Sequence, residues 1–171
     1  MKSGTGLGLL VLGAFCISMP ALAQGNEYLK VIGNFFAADE IMLSHLPGYQ
    51  MGTVELLWTL PDTKPELHLY FYKPYSGQNP SSKYHLTYGR PMFQQLQPCR
   101  KGKPFKVSHP RLRIEGCAET VSLPVAGKQL QMLNATATAV SANGRVNGLI
   151  EAEEISGQDL KSLLEGLAPL K

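Results

Sequence analysis

The chain has 171 residues, of which 44% are hydrophobic and 17% are charged, and its formal net charge is +3. A chain of this length fits a single domain that is long enough to bury a core of its own without further disulfides. The small net charge excludes a protein that is basic throughout, so any charge-driven function has to come from the distribution of the charges.

Residues 1–23 have the pattern of a secretory leader. Lys2 is followed by an apolar run from Leu7 to Ile17, and Pro20 precedes the small-x-small sequence of Ala21 to Ala23. The apolar run is about half the roughly 20 residues that a membrane-spanning helix needs. We therefore expect cleavage after Ala23, one β-rich domain from residue 24 to 171 without a transmembrane segment, and a periplasmic or secreted location.

The first segment of the expected mature chain, Asn26 to Leu46, is compatible with a helix and with a strand. Its apolar residues fit a helical stripe, but Gly33-Asn34 is a poor helix interior and a good turn or bulge. The sequence from Gly33 to Ile41 also echoes the sequence from Gly148 to Ile155, which alternates as a strand does. This echo favours a strand.

Two alternating runs predict a hairpin over residues 54–72. Their apolar positions are Val54, Leu56, Trp58 and Leu60 in the first run and Leu67, Leu69 and Phe71 in the second. A turn at Pro61 to Pro65 separates them. We expect Trp58 on the core face and His68, Tyr70 and Tyr72 on the opposite face. After a loop from Pro74 to Ser82, a further strand is predicted from Tyr84 to Tyr88.

Cys99 and Cys117 are the cysteines that remain once Cys16 leaves with the leader. An even count in an oxidising compartment normally indicates a disulfide. A gap of 17 residues is neither C-x-x-C nor a usual zinc spacing. We expect the two residues to pair, which would stabilise the fold by about 3 kcal/mol by restricting the unfolded chain.

The loop between these cysteines contains six basic residues and one acid, and no acid lies between Glu66 and Glu115. Tyrosines and phenylalanines are interleaved with these cations, and such a surface can bind anions through Arg while aromatic faces stack on the partner. Nucleic acid is not expected as the partner because the protein is expected to be exported. The residues predicted to form the binding face are Lys83, Arg90, Arg100, Lys101, Lys103, Lys106, Arg111, Arg113, Tyr72 and Tyr84.

The C-terminal third carries the strongest local signals. Short strands are predicted around Phe105 and Leu112, and Pro124 suggests an edge position for the next run. Asn143-Gly144 predicts a two-residue hairpin turn between strands at about residues 129–141 and 146–155. Ser156 can cap a following helix, with Asp159 at the capping-box position. The apolar stripe of that helix is Leu160, Leu163, Leu164 and Leu167.

About eight short strands followed by one helix predict a mainly β fold. We expect an antiparallel β-sandwich or β-barrel with one amphipathic helix at its C-terminal end. A barrel could also enclose an apolar ligand, lined by Tyr70, Tyr72 and Leu86, so a binding surface and a binding pocket both remain open.

Enzyme signatures are absent from the sequence. No G-x-S-x-G, H-E-x-x-H or phosphate-binding glycine loop occurs. Glu151, Glu153 and Glu154 could supply paired carboxylates, but acids that flank a hairpin and precede a helix are more often solvated or interact with the helix N-terminus. His68 and His85 lie on strands that could be neighbours, which would permit a hydrolase or metal site if a third ligand converged.

We therefore expect an exported binding or adaptor protein without a cofactor or a bound metal. Its partner would be an acidic protein surface or an anionic component of the envelope, such as a glycan or lipid. A small envelope hydrolase or metal-dependent enzyme that uses His68 or His85 is the alternative.

Overall fold

The computed structural model describes residues 16–20, 30–58, 63–77, 79–89, 99 and 101–170. Most of them are in strands. The strands, in chain order, are β1 (Cys16–Pro20), β2 (Met42–Leu43), β3 (Gln50–Leu57), β4 (Glu66–Lys73), β5 (Ser82–Tyr88), β6 (Lys103–Ser108), β7 (Leu112–Val125), β8 (Lys128–Ser141), β9 (Asn147–Ile155) and β10 (Ala168–Pro169). The helix α1 (Gly157–Glu165) lies between β9 and β10.

Eight strands form one antiparallel sheet in the order β1-β3-β4-β5-β9-β8-β7-β6, and β2 pairs with β10 in a second, two-stranded sheet. The large sheet is open, with β1 and β6 at its edges, so the fold is sandwich-like and the barrel alternative is wrong. The prediction of a mainly β, antiparallel fold with one C-terminal helix is confirmed. Within the described residues, no helix is both long enough and apolar enough to cross a membrane.

The N-terminal segment differs from its prediction. Residues 30–33 are helical, Ala38–Glu40 form a 3-10 turn, and β2 follows. The expected strand is therefore wrong. Gly33 and Asn34 lie where the helix ends, and the Asn34 N–H donates to the Val31 carbonyl oxygen at 3.2 Å. A glycine that is unfavourable inside a helix is favourable at its end.

The predicted hairpin over residues 54–72 is confirmed as β3 paired with β4. Its turn lies partly outside the described residues, since Pro61 and Asp62 are among the positions that the structure does not describe. Trp58 follows β3 directly, is half-buried, and packs edge-on against Phe35 with 5.3 Å between ring centroids. The predicted strand from Tyr84 to Tyr88 is confirmed as part of β5.

The turn between β8 and β9 is longer than predicted. The strand bounds agree with the prediction to within one residue, but five residues separate the strands, and the Gly144 N–H donates to the Ser141 carbonyl oxygen at 3.0 Å. Asn143 does not adopt the left-handed conformation. Its side-chain oxygen accepts from Ser141 Oγ at 2.6 Å and from the Arg145 N–H at 3.1 Å, and these bonds hold the wider loop.

A two-residue turn does occur between β7 and β8. Val125 is paired with Lys128, and the two residues between them have positive φ angles, 48° at Ala126 and 76° at Gly127. Two consecutive positive φ angles are those of a type I′ turn, whose twist matches that of the strands it joins.

The large sheet has two different faces. On one face, which we call the core face, alternate residues of the central strands are apolar and buried. Examples are Leu69 of β4, Leu86 of β5 and Ile150 of β9. Leu160, Leu163 and Leu164 of α1 belong to the same buried cluster. The helix begins as predicted, because Ser156 Oγ accepts from the Asp159 N–H at 3.0 Å.

Cys99 and Cys117 pair as predicted. Their sulfur atoms lie at bonding distance, and their Cα atoms are 5.8 Å apart, within the usual range for a disulfide. Cys117 is opposite Thr136 of β8 and alternates with the buried Ile114 and Gly116, so it lies on the face of the sheet away from the core. The disulfide therefore anchors residue 99 to that face.

Candidate functional site

The face of the large sheet opposite the core face, which we call the polar face, carries ionisable and aromatic side chains in register. Two rows cross three neighbouring strands: Tyr72, Lys83 and Glu153 form one, and Tyr70, His85 and Glu151 form the next. Residues directly opposite each other on antiparallel strands have Cβ atoms about 5 Å apart, so members of a row can interact. The strand order thus brings together side chains that are distant in the sequence.

His68 and His85 are neighbours, as the sequence suggested. His68 Nδ1 lies 3.0 Å from His85 Nε2, and Thr87 Oγ1 lies 3.2 Å from the same His85 nitrogen. Glu66 Oε2 is 3.3 Å from His68 Nε2, and Glu151 Oε2 is 3.5 Å from His85 Nδ1. Each of the four ring nitrogens therefore already has a polar partner.

This arrangement is better suited to holding strands together than to catalysis. A general base or a metal ligand needs a ring nitrogen that can turn its lone pair toward the substrate or the metal, and these nitrogens face each other or a glutamate. Among the described residues, no three His, Cys, Asp or Glu side chains converge in a way that could hold a metal ion. The histidine pair stays a candidate that the structure does not favour.

A groove of about 450 Å³ lies on the polar face next to the histidines. Residues of four strands line it, and those on which its chemistry depends are Gly52, Tyr70, Tyr72, Lys83, His85, Glu151 and Glu153. Cavities of about 300–1,000 Å³ are typical of small-ligand sites. The groove is therefore large enough for a ligand.

Two β-bulges border the groove. In β3, Gly52 and Thr53 together stand opposite Tyr70 of β4. In β9, Glu153 and Glu154 stand opposite Asn134 of β8. Glu154 has a φ angle of 53°, and its N–H donates to Asn134 Oδ1 at 2.9 Å. Such a backbone conformation costs on the order of 1 kcal/mol for a residue with a side chain, and bulges often redirect side chains beside binding sites.

The aromatic rings of the groove are held in place. The Tyr72 hydroxyl donates to Gln50 Oε1 at 3.1 Å, and its ring lies so close to Gly52 that a Cβ there would be 3.1 Å from the nearest ring carbon. The Tyr72 side chain is nevertheless 42% exposed. Tyr70 stacks on His85 with 4.1 Å between ring centroids and an angle of 11° between the planes.

The charges of the groove are paired. Lys83 Nζ lies 2.8 Å from Glu153 Oε2, and both side chains are exposed. Glu151 lies beside His85 in the next row. Lys83 is therefore not an uncompensated cation, although the sequence placed it in the basic binding face.

The other described cations of the predicted binding face lie at the β6 edge of the large sheet, away from Lys83 on the central strand β5. We call the group formed by Lys101, Lys103, Lys106, Arg111 and Arg113 the basic edge. All five residues are exposed, on β6, on β7 or in the adjoining loops. Lys106 and Arg113 share the single acid Glu115, at 3.4 Å and 3.9 Å. Arg90 and Arg100 lie outside the described residues.

The basic edge and the groove are separate surfaces. Lys83 is on β5 and Lys106 is on β6, with β9, β8 and β7 between them in the sheet. Four strand spacings of about 4.8 Å put these two strands roughly 19 Å apart. The residues predicted to form a single binding face therefore lie on two separate surfaces, the groove and the basic edge.

Tyr84 was placed on the wrong face by the prediction. Its side chain is 2% exposed and stacks on Phe71 in the core with 4.5 Å between ring centroids, and its hydroxyl donates to the Ser44 carbonyl oxygen at 3.0 Å. It cannot contact a partner at the surface. The proposed pocket of Tyr70, Tyr72 and Leu86 is also wrong, because Leu86 is fully buried on the core face while both tyrosines are on the polar face.

Burial alters the acidity of the tyrosines on and beside the core face. It raises the pKa of Tyr49 to about 12, although the Ser82 hydroxyl at 2.7 Å acts in the opposite direction. Burial likewise raises the pKa of Tyr84 and of Tyr88 well above the ordinary tyrosine range. These hydroxyls are therefore fixed in their neutral form, and the Tyr88 hydroxyl donates to the Met42 carbonyl oxygen.

Sequence reasoning missed Gly52 and treated Glu151 and Glu153 as solvated acids. A glycine inside an alternating strand pattern indicates a bulge or a close approach, so Gly52 carried a usable signal. The glutamates carried none, because their partners depend on the pairing of β5 with β9.

No family model, curated protein or solved structure matches this chain.

Proposed function

We propose that this chain is an exported, non-enzymatic binding or adaptor protein that engages an anionic partner through the basic edge. The leader pattern of residues 1–23 supports export, and a disulfide between Cys99 and Cys117 is compatible with an oxidising compartment. The partner is an acidic protein surface or an anionic component of the envelope.

The observation that carries this proposal is the charge of the basic edge. Residues 101–118 contain five cations and one acid, Glu115, and all five cations are exposed. Lys106 and Arg113 compete for that one acid. The surplus positive charge favours association with anions and gives it a strong salt dependence.

Edge protection is the competing explanation for part of this charge. Lysine and proline on an edge strand oppose pairing with another chain, and β6 carries Lys103, Pro104 and Lys106. That explanation does not extend to Lys101 and Arg111, which lie outside the strands. The two roles are compatible, because an edge that repels other strands can still attract an anion.

The experiment compares binding to three probes at increasing salt: vesicles that contain phosphatidylglycerol, heparin, and polyglutamate. We expect the wild-type chain to bind at least one probe at low salt and to dissociate as salt rises. The triple variant K101E/K103E/R111E should lose this binding, by at least tenfold in affinity. A preference among the probes would separate a lipid, a glycan and an acidic protein as the partner class.

The matched control is K30E/K128E/K161E, which makes the same change in net charge at exposed positions elsewhere. It should retain binding, and both variants should keep the circular dichroism spectrum of the wild type. Equal losses in the two triple variants would mean that only net charge matters. Undiminished binding of K101E/K103E/R111E would show that the basic edge is not the interface.

A further inference from the structure

We propose that the groove on the polar face binds a neutral carbohydrate, with one sugar ring stacked on Tyr72 and its hydroxyls bonded to Lys83, Glu151 and Glu153. This site is separate from the basic edge. The inference does not depend on the proposed anionic partner, because the two surfaces use different residues.

Tyr72 has the properties of a stacking platform. Its hydroxyl is hydrogen-bonded to Gln50, and its ring lies against Gly52, where an added Cβ would be 3.1 Å from the nearest ring carbon and would push the ring back slightly. A ring fixed in this way loses little conformational freedom when a ligand binds. Its 42% exposure leaves ring surface to cover the apolar C–H face of a sugar.

A hydrogen-bonded tyrosine of similar exposure provides a contrast. Tyr75 lies in the loop after β4, is 60% exposed, and donates from its hydroxyl to the Gly77 carbonyl oxygen at 2.8 Å. It does not line the groove. Tyr72 differs from it by having a cation and two carboxylates within the same cavity.

The paired charges decide the class of ligand. Lys83 is held by Glu153 at 2.8 Å, and Glu151 lies next to His85 at 3.5 Å, so the groove offers a strong donor and strong acceptors side by side. An anion would meet two carboxylates, and a cation would have to displace Lys83. A sugar hydroxyl can accept from the ammonium group and donate to a carboxylate at once, so a neutral polyol uses both charges without separating them.

The backbone supports a site rather than a featureless sheet surface. The bulge at Gly52 and Thr53 stands opposite Tyr70 and includes the glycine that lies against the Tyr72 ring, and the bulge at Glu153 and Glu154 contains a non-glycine residue at a φ angle of 53°. Both irregularities flank the same cavity on opposite sides. A strained residue that is kept beside a cavity indicates that the position of its neighbour, here Glu153, matters.

The experiment uses three probes, maltotriose, cellotriose and chitotriose, with the full-length chain. Binding is measured by saturation-transfer NMR and by calorimetry. We expect at least one trisaccharide to bind with a Kd tighter than about 10 mM, which corresponds to a binding free energy of about −2.7 kcal/mol. The affinity should be insensitive to salt, in contrast to binding at the basic edge.

Variants test each part of the site. Tyr72→Ala should weaken binding about tenfold, which is the scale of losing one stacked aromatic surface. Glu153→Gln and Lys83→Met should each weaken it several-fold by removing a charged hydrogen-bond partner. Tyr75→Ala is the matched control and should bind as the wild type does. Thermal unfolding of every variant shows whether the fold is intact.

The proposal would be overturned if none of the trisaccharides bound, or if Tyr72→Ala and Tyr75→Ala lost binding equally. Loss of sugar binding in K101E/K103E/R111E with a preserved fold would place the sugar at the basic edge and would also contradict the groove.

Discussion

On one side of the large sheet, β4 presents Leu67, Leu69 and Phe71, and on the other side the same strand presents His68, Tyr70 and Tyr72. The first set is almost completely buried and belongs to the same apolar cluster as residues of α1 and of the N-terminal segment. The second set is in contact with side chains of neighbouring strands through hydrogen bonds and ring stacking. Alternate residues of one strand thus contribute to the buried core and to the polar face.

The two faces depend on different forces. Apolar burial stabilises a fold in proportion to the area removed from water, whereas an exposed ion pair adds little to stability. Substitutions on the core face should therefore lower the free energy of unfolding. Substitutions at exposed positions of the polar face should change what the protein binds while it remains folded.

The largest effect is expected from alkaline pH, which acts on buried tyrosines of the core face. Unfolded tyrosines lose their proton near pH 10, but burial raises the pKa of Tyr49 to about 12 and the pKa of Tyr84 and Tyr88 further. The stability that comes from these raised values is fully present below pH 10 and is lost as the pH rises above it. We expect cooperative unfolding in this range. It can be measured by recording tyrosinate absorbance and circular dichroism in the same pH titration, and the two signals should change together.

Tyr84→Phe sharpens this prediction. It removes one hydroxyl that can ionise, so stability should fall less steeply with pH, although loss of the bond to Ser44 costs about 1 kcal/mol at neutral pH. If every tyrosine ionised while the circular dichroism spectrum stayed unchanged, the tyrosines of the core face would be accessible to solvent. This result would contradict the difference in burial between the two faces.

A large effect is also expected from Leu163→Ala on the face of α1 that packs on the sheet. Leu163 is fully buried, and removing such a side chain costs about 3 kcal/mol. The free energy of unfolding, measured with urea, should fall by this amount. Lys161→Ala, on the exposed side of the same helix, should cost less than about 0.5 kcal/mol. Similar losses in the two variants would show that α1 does not cover the core.

The smallest effect on stability is expected on the polar face. Lys83→Met and Glu153→Gln should each change the free energy of unfolding by less than about 0.5 kcal/mol, because their ion pair is exposed. Urea unfolding of the two single variants and the double variant measures their coupling. A loss of several kcal/mol in either variant would mean that the polar face also holds the fold together.

The sequence was sufficient for elements whose signals are local. The bounds of β8, β9 and α1 follow from alternation, from the stripe around Leu163, and from the cap at Ser156, and all of these depend on neighbours within a few residues. The helical turn at residues 30–33 was missed because Gly33 was treated as an interior residue. The loop at Asn143 was predicted too short because side-chain bonds to Ser141 were not foreseen.

The groove could not be predicted in the same way. It requires β5 to pair with β9 rather than with a nearer strand, and no local pattern states which strands become neighbours. Tyr84 is different, because its alternation with Lys83 and His85 already placed it on the same face as Leu86. Local alternation in the sequence therefore predicts which face of the sheet a residue lies on, but it does not predict which strands are neighbours.

The two edges of the large sheet have unequal protection against pairing with another chain. β6 carries Lys103, Pro104 and Lys106, whereas β3 has no lysine or proline from Gln50 to Leu57 and is covered by β1. β1 lies inside the segment expected to be the leader, so cleavage after Ala23 would uncover the backbone of β3 from Thr53 to Leu57. A chain without residues 1–23 would then expose an unpaired strand edge that β1 covers in the full chain, and it would pair more readily with a second strand.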